Sequence, residues 1–342
     1  MTDTRLENSS SAGNVAISVV VVTYNSSAVI EASLAPLVGR PMIEVVVYDN
    51  ASADHTVATV ERLGESVTVI TGTENVGFAR AVNRAVRETR GAVVVLLNPD
   101  AVIAPADLTA LADRVIESPL SVAAPLVVDP RGFVAVASAG RFPSVWRMFT
   151  HYFQLSKIFP YSASMGGHYE SVDTLAKTHV TQTDWVSGAC LVCTRGTWDR
   201  LDGLSERWFM YAEDIDFCWR IHLSGGTCLV DSTRRATHLV GESSGMRAQR
   251  ADSTWLVNLY DFYCLRMATT VAGPILWRFV VVLGLTLRSL IFLGQSLVEP
   301  THAAPRRRSA RDFLAHARAL ATVHRSLDCP PFDSRIPYRS MR

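Results

Sequence analysis

The 342-residue chain predicts an open α/β sheet flanked by helices. Three observations lead there. Short, continuous β-branched runs recur along the first 130 residues, the kind of strand buried on both faces of a parallel sheet. Helix-like segments alternate with those runs, as βαβ units require. Polar clusters stand at the carboxyl ends of three runs, Thr23-Tyr24-Asn25, Asp49-Asn50 and Asn98-Pro99-Asp100. Open α/β sheets hold their ligands at such ends.

The first strand is Ile17-Ser-Val-Val-Val-Val-Thr-Tyr-Asn25, followed by a helical segment over Ala28 to Leu37. A second run, Ile43 to Tyr48, stops at Asp49-Asn-Ala-Ser52, where Ser52 or Asp54 is placed to cap the next helix. Val67 to Ile70 is a third strand, Ala79 to Arg90 a helix, and Ala92 to Leu97 a fourth strand. Pro105 to Glu117 reads as a helix and Ser121 to Val128 as a strand leading through Asp129-Pro-Arg-Gly132 into a hairpin. Phe142 to Thr181 shows little periodicity and many aromatics, which predicts a long, partly mobile excursion suited to an acceptor-side lid. Strand character returns over Thr183 to Cys193, and Thr197 to Leu201 reads as helical. A helix over Glu213 to Leu223 is stopped by Gly225-Gly226, and Thr227 to Val230 is a short strand with His238 shortly after it.

With 48% hydrophobic and 19% charged residues the chain is globular, and a net charge of +1 gives no global field for nucleic acid. Six scattered cysteines, mostly in apolar runs, fit a reduced cytosolic setting. Cys190 and Cys193 share a Cys-x-x-Cys spacing but lack a second pair for zinc, so they read as buried strand residues. Met1 to Asn14 is polar and Ser-rich with no apolar core of signal-peptide length, which predicts a loose arm.

Val271 to Val298 is overwhelmingly apolar but interrupted by Arg278 and Arg288. The stretch between the arginines is shorter than the ~20 residues a spanning helix needs. The expectation is therefore helices in the membrane interface, their arginines snorkelling to headgroups and Arg306-Arg-Arg308 attracted to anionic lipid. A core helix and a true span are the alternatives. The implied division is an arm over 1–16, a catalytic unit over 17–245 with halves 17–128 and 129–245, and a C-terminal interface region over 246–342.

Tyr211 to Arg220 carries the chemistry most visibly, because Glu213, Asp214 and Asp216 crowd three carboxylates beside aromatic and apolar residues. Such crowding calls for a cation partner or for a raised pKa suited to general-base work. On a helix, Asp216 points away from Asp214 and stands one turn before Arg220, which suits an ion pair. No Gly-x-x-x-x-Gly-Lys-Ser/Thr, no Gly-x-Gly-x-x-Gly after the first strand and no Gly-x-Ser-x-Gly elbow is present, which weighs against kinase, dehydrogenase and serine-hydrolase chemistry. A diphosphate without a glycine-rich cradle needs positive charge from elsewhere, and a divalent cation on a carboxylate such as Asp100 supplies it. Asp49 is placed to accept hydrogen bonds from a base or ribose.

Six motifs in order carry a resemblance: Val19-Val-Val-Val-Thr-Tyr-Asn25, Asp49-Asn-Ala-Ser52, Glu74-Asn-Val-Gly-Phe78, Asn98-Pro-Asp100, Trp185-Val-Ser-Gly-Ala189 and Phe209-Met-Tyr-Ala-Glu-Asp-Ile-Asp216. Over Ile17 to His238 the chain resembles the family 2 glycosyltransferases, and within them the rhamnosyltransferase-like branch. The resemblance implies a GT-A fold, a nucleotide-sugar donor, Mg²⁺ or Mn²⁺ as cofactor, and inversion at the anomeric carbon. It places Thr23, Tyr24, Asn25 and Asp49 at the nucleoside, and Asn75 and Phe78 near the donor. Asn98-Pro99-Asp100 stands where the family has Asp-x-Asp, so metal binding rests on Asp100, with His238 similar to a metal-binding histidine of some relatives. Asp214 matches the catalytic base, with Glu213 beside it, and Trp185, Ser187, Gly188 and Asp216 fall on the acceptor side. Asp202-Gly-Leu-Ser-Glu206 departs from the family's Gly-Gly-Phe-Asp-Glu. The implied reaction moves a deoxyhexose, L-rhamnose from dTDP-L-rhamnose, to a polyprenyl-diphosphate-linked saccharide at the cytoplasmic face of the membrane, in cell-envelope assembly. Alternatives are another sugar, galactofuranose or an amino-deoxyhexose, and a non-catalytic nucleotide-sugar-binding scaffold. No nucleic-acid partner is expected, and a homo-oligomer stays open.

Overall fold

Strand β1 (Ile17–Thr23) is buried along its whole length and stands in the parallel core of the sheet, between β2 (Ile43–Asp49) and β4 (Val93–Leu97). The protein was described from a computed structural model covering residues 16–130, 138–160, 162–170, 174–175, 178–238 and 252–323. Nearly all of the predicted N-terminal arm, the Arg131-Gly132 part of the expected hairpin, and Cys329 lie outside the described residues. β3 (Val67–Thr71) pairs parallel to β2 and forms one edge of a nine-stranded sheet. Helices α1 (Ile30–Leu34), α2 (Thr56–Glu61) and α3 (Phe78–Arg87) are the crossovers that parallel pairing demands.

Beyond β4 the direction changes. β10 (Cys190–Thr194) runs antiparallel between β4 and β6 (Ser121–Val128) and leads into α7 (Arg195–Arg200), and β11 (Thr227–His238) runs parallel to β6. The short β5 (Ala101–Ile103) and β8 (Val180–Thr183) both pair antiparallel with β11, and α4 (Pro105–Glu117) covers this half. A two-stranded sheet joins β7 (Ala139–Gly140) to β9 (Trp185–Val186). The mixed sheet flanked by helices is the one the sequence predicts. Cys190 and Cys193 sit in β10 as buried free thiols, and burial pushes the Cys190 thiol up to about 12.

Three expectations need correction. The excursion after Phe142 is built structure where it is described: α5 (Val145–Tyr152), capped by the Ser144 side chain, is followed by α6 (Leu155–Ile158). β11 does not stop at Val230 but runs to His238, past a register shift between Asp231 and Arg235. The apolar tail is one helix, α10 (Ala272–Val298), whose arginines turn inward instead of reaching for headgroups. Arg288 donates to the carbonyls of Tyr152 at 3.0 Å and His151 at 2.5 Å and lies over the Tyr152 ring, while Arg278 donates to the carbonyl of Val323.

The C-terminal helices share the core of the sheet. α9 (Thr254–Phe262) continues into a π-helical turn over Tyr263–Met267, and α10 packs with α11 (Ala303–Thr322). Leu256, Phe262, Trp277, Val281 and Leu285 join the same buried cluster as Trp185, Phe217 and Ile221. Trp277 is fully buried, and its indole N–H donates to the Pro143 carbonyl at 2.6 Å. The opposite face of α10 is apolar and exposed, with Phe279, Leu290 and Ile291 each more than half accessible.

Candidate active site

The carboxyl ends of β1, β2 and β4 lie side by side because the three strands are parallel and in register, Thr23 opposite Asp49. Asp49 is buried and ties these ends together. Its Oδ1 accepts from the Thr23 hydroxyl at 2.8 Å and the Ser52 hydroxyl at 2.5 Å, and its Oδ2 accepts from the Ser52 amide at 2.8 Å. A carboxylate has about four acceptor positions, so most of its capacity goes to shaping the loops. Asn25 adopts a left-handed conformation, its amide donating to the Ser52 hydroxyl and its side-chain oxygen accepting from the Ala53 amide, both at 2.8 Å. Tyr24 beside it is exposed.

Asn50 has a comparable organising role. Its side chain receives the Val76 amide at 3.2 Å and donates to the Gly77 carbonyl at 3.3 Å, drawing the loop after β3 against the end of β2. Within that loop the Asn75 side chain accepts from the Gly77 amide. Gly77 has φ +86°, and a Cβ there would meet the Phe209 carbonyl oxygen at 2.5 Å, so only glycine lets the two loops approach. The Phe78 amide donates to that same carbonyl at 2.8 Å. Sequence alone does not mark Asn50 and Ser52 as site residues, because polar residues at a strand end read equally well as turn formers.

Asp100 and His238 meet because β5 pairs antiparallel with β11, His238 opposite Ala101. His238 Nε2 lies 2.9 Å from Asp100 Oδ1 and 3.3 Å from the Asn98 amide nitrogen. The other Asp100 oxygen and His238 Nδ1 are buried without a hydrogen-bond partner. Buried polar atoms are normally satisfied, so an orphaned carboxylate oxygen beside an imidazole fits a cation. Among the described residues no cluster of three or more His, Cys, Asp or Glu side chains surrounds a metal position. A small divalent ion held here would take the rest of its shell from diphosphate oxygens and water, as Mg²⁺ commonly does.

The acidic stretch faces the same end of the sheet. Glu213 and Asp214 open α8 (Glu213–Leu223). Asp214 Oδ2 accepts from the Gly188 amide at 3.0 Å and Oδ1 from the Ile215 amide at 2.8 Å. Burial raises the Asp214 carboxyl pKa against the pull of those amides. Glu213 is buried with Oε2 unpartnered, and burial, reinforced by the charge of Asp214, pushes it up to about 8.

One backbone link joins the two carboxylate centres. The Asn98 amide donates to the Ala189 carbonyl at 3.0 Å, so the Asp100 turn is tied to the Ser187-Gly188-Ala189 turn whose Gly188 amide holds Asp214. A Cβ on Gly188 would stand 3.5 Å from the Phe78 ring and 3.9 Å from the Asp214 Cβ, so the start of α3 and the acidic helix converge on that glycine. Ser187 accepts from the Ala189 amide, and Trp185 is buried with its indole donating to the Arg141 carbonyl. Asp216 does not join them: it is fully buried and held by Arg220 at 2.8 Å, the ion pair its spacing suggests, and by Arg266 at 2.7 Å.

Residues 18–168 match the family model described as Glycosyl transferase family 2. The chain is also 28% identical over 294 residues to an N-acetylglucosaminyl-diphospho-decaprenol L-rhamnosyltransferase of Mycobacterium tuberculosis, covering 82% of this chain and 93% of that protein. The chain is a glycosyltransferase similar to family 2. Solved structures agree on the fold of the glycosyltransferase. A mannosyltransferase from Pyrobaculum calidifontis, in complex with GDP-Man and Mn²⁺, is similar over 89% of this chain and 85% of its own at a TM-score of 0.54 and 19% identity. GalNAc-T7, with UDP, GalNAc and Mn²⁺, is similar over 75% of this chain and 48% of its own at a TM-score of 0.52 and 14% identity. These likenesses make the sheet of the glycosyltransferase a GT-A fold. Asp214 and His238 both lie beyond the stretch that the family model matches.

Proposed function

We propose that this glycosyltransferase moves L-rhamnose from dTDP-L-rhamnose to a hydroxyl of a polyprenyl-diphosphate-linked saccharide, with inversion at the anomeric carbon. The observation that carries the reading is the link from the Asp100 turn through Asn98 and Ala189 to Gly188 and Asp214, which sets a charge-stabilising centre and a raised carboxylate at one end of the sheet. The mycobacterial relative, named for rhamnosyl transfer to a lipid-linked sugar, supports the choice of donor and acceptor.

In this reading the loops ordered by Asp49, with Tyr24, Asn25 and Asn75, receive the nucleoside, and Phe78 lies beside the sugar. Asp100 and His238 would hold the divalent cation, with Asn98 beside them. When bound, the ion neutralises the charge that grows on the departing diphosphate. Asp214 takes the proton from the acceptor hydroxyl as that oxygen bonds to the anomeric carbon. The bond from that carbon to phosphate breaks on the opposite face, and its electron pair leaves with the nucleoside diphosphate. The Gly188 amide keeps the Asp214 carboxylate aimed, and Glu213, neutral near pH 7, adds no second charge beside it. Trp185 and Ser187 shape the acceptor side. The exposed apolar face of α10 rests in the cytoplasmic membrane interface, where a lipid-linked acceptor is reached. The catalytic unit is the 17–245 stretch, and the tail from 246 supplies the membrane face.

The test is Asp214→Asn in the full-length protein. Transfer is expected to be lost while dTDP-L-rhamnose with Mn²⁺ still raises the melting temperature, since a ligand of the folded state stabilises it. Transfer at near wild-type rate would remove Asp214 as the base. In a parallel nucleotide-sugar screen, stabilisation by a different donor and not by dTDP-L-rhamnose would overturn the sugar assignment.

A further inference from the structure

Tyr211 and Ala212, immediately before the two carboxylates, have φ of 71° and 76°. Residues with a Cβ avoid this left-handed region, and two in succession persist only where the surroundings over-determine them. The turn matters because it delivers Glu213 and Asp214 to the first turn of α8. On the donor side the surroundings are the Phe78 amide on the Phe209 carbonyl and the close approach of Gly77.

The other side is held from the C-terminal segment, by residues far from the stretch that the family model matches. The Asn258 side chain donates to the Met210 carbonyl at 2.7 Å. Asp261 accepts from Arg207 at 2.6 and 2.9 Å, two parallel bonds, and from the Trp208 indole at 2.9 Å. Arg266 donates to Asp216 Oδ1 at 2.7 Å, two residues past Asp214. Both flanks of the strained pair are therefore tied to one short segment, residues 258–266. That segment includes the π-helical turn Tyr263–Met267, which carries Arg266. π-Helical turns are rare and concentrate at functional sites.

We propose that α9 and its π-turn form a strap that holds the 209–212 turn in its left-handed form and thereby positions Asp214. Asn258, Asp261 and Arg266 are positioning residues for transfer. The proposal rests on the reading of Asp214 as the base. Arg266 holds Asp216 and the Gly188 amide holds Asp214, residues two apart that do not share a helix face, so the strap sets where α8 begins while Gly188 sets how the carboxylate is aimed. Asp216 keeps Arg220 when Arg266 is changed, so an Arg266 variant leaves no buried charge wholly unpaired.

The experiment compares full-length Arg266→Gln, Asp261→Asn and Asn258→Ala with wild type. Turnover with dTDP-L-rhamnose and polyprenyl-diphospho-N-acetylglucosamine is read beside Mn²⁺-dependent donor binding and hydrogen exchange of peptides over 207–216. Turnover is expected to fall on the order of 10- to 100-fold, the scale for an ångström of misplacement, with donor affinity within about twofold of wild type. Exchange at 209–213 is expected to rise, and Arg266→Lys to recover part of the rate. Added to Asp214→Asn, Arg266→Gln is expected to lower the residual rate by less than about twofold, because coupled residues are not additive.

Unchanged exchange at 209–213, or a rate loss that adds fully to that of Asp214→Asn, overturns the strap. Should Arg266→Gln fail to fold, Asn258→Ala, which removes a single side-chain amide, decides the matter. Normal turnover in Asp214→Asn would remove the base assignment while the exchange data still decide whether the strap holds the turn. Loss of transfer in Asp214→Asn with full activity in all three strap variants removes the strap alone.

Discussion

Glu213 and Asp214 are neighbours in the chain, yet their surroundings push them toward different work. Burial, and after it the charge of Asp214, push the Glu213 carboxyl up from its ordinary 4.5 to about 8. Between those values the native state holds a proton that the unfolded chain has released, so this group favours the fold at low pH and costs stability as pH rises through 8. Glu213→Gln removes that cost without breaking a bond to Oε2, which has no partner. The variant is expected to melt at least about 3 °C above wild type at pH 9 and close to it at pH 5, in thermal scans across that range. In the proposed cation site Asp100→Asn and His238→Ala each remove one ligand, and electron paramagnetic resonance titration with Mn²⁺ should show affinity weakened at least about tenfold. Of these residues, Asp100 and Asp214 were legible in the sequence, since an acid at a strand end or among other acids is conspicuous. The organising parts of Asn50 and Ser52 were not, because their partners lie on other loops.

Elements show the same division between local and distant causes. The β-branched runs of β1, β2 and β4 are strands because nothing else suits continuous branched residues bounded by turns, and the sequence bounds agree within a residue or two. β11 is longer than its sequence suggests because Asp231-Ser-Thr-Arg-Arg235 reads as a polar loop. The ladder resumes at Arg235 opposite Leu126 and Ala236 opposite Ile103, where pairing with β6 and β5 overrides propensity. Without that extension His238 would not reach Asp100. Gly77 is the tightest point between elements. Gly77→Ala is expected to cost at least about 2 kcal/mol, from the left-handed backbone and the displaced Phe209 carbonyl together, measured by urea unfolding.

The whole molecule is held together by its C-terminal helices as much as by its sheet. Because Trp277, Val281 and Leu285 belong to the main core, a chain cut before Val271 is expected to lose cooperative unfolding in a denaturant titration, so truncation is a poor test of membrane attachment. Point changes on the outer face separate the two effects. Phe279 and Leu290 are 61% and 59% exposed, so replacing both by Glu should leave the melting temperature within about 2 °C of wild type. The same double variant should weaken co-sedimentation with phosphatidylglycerol vesicles at least about tenfold. Undiminished sedimentation would show that another surface meets the lipid.

The elements of the N-terminal half, the polar clusters at its strand ends and the acidic helix are all legible in the chain alone, because strand runs, helix stops and turn residues are local chemistry. Only the tertiary structure decided which of those clusters meet. His238 reaches Asp100 across 138 positions, and Arg266 reaches Asp216 across 50. Both meetings depend on strand pairing and helix packing between distant segments, which no local window contains.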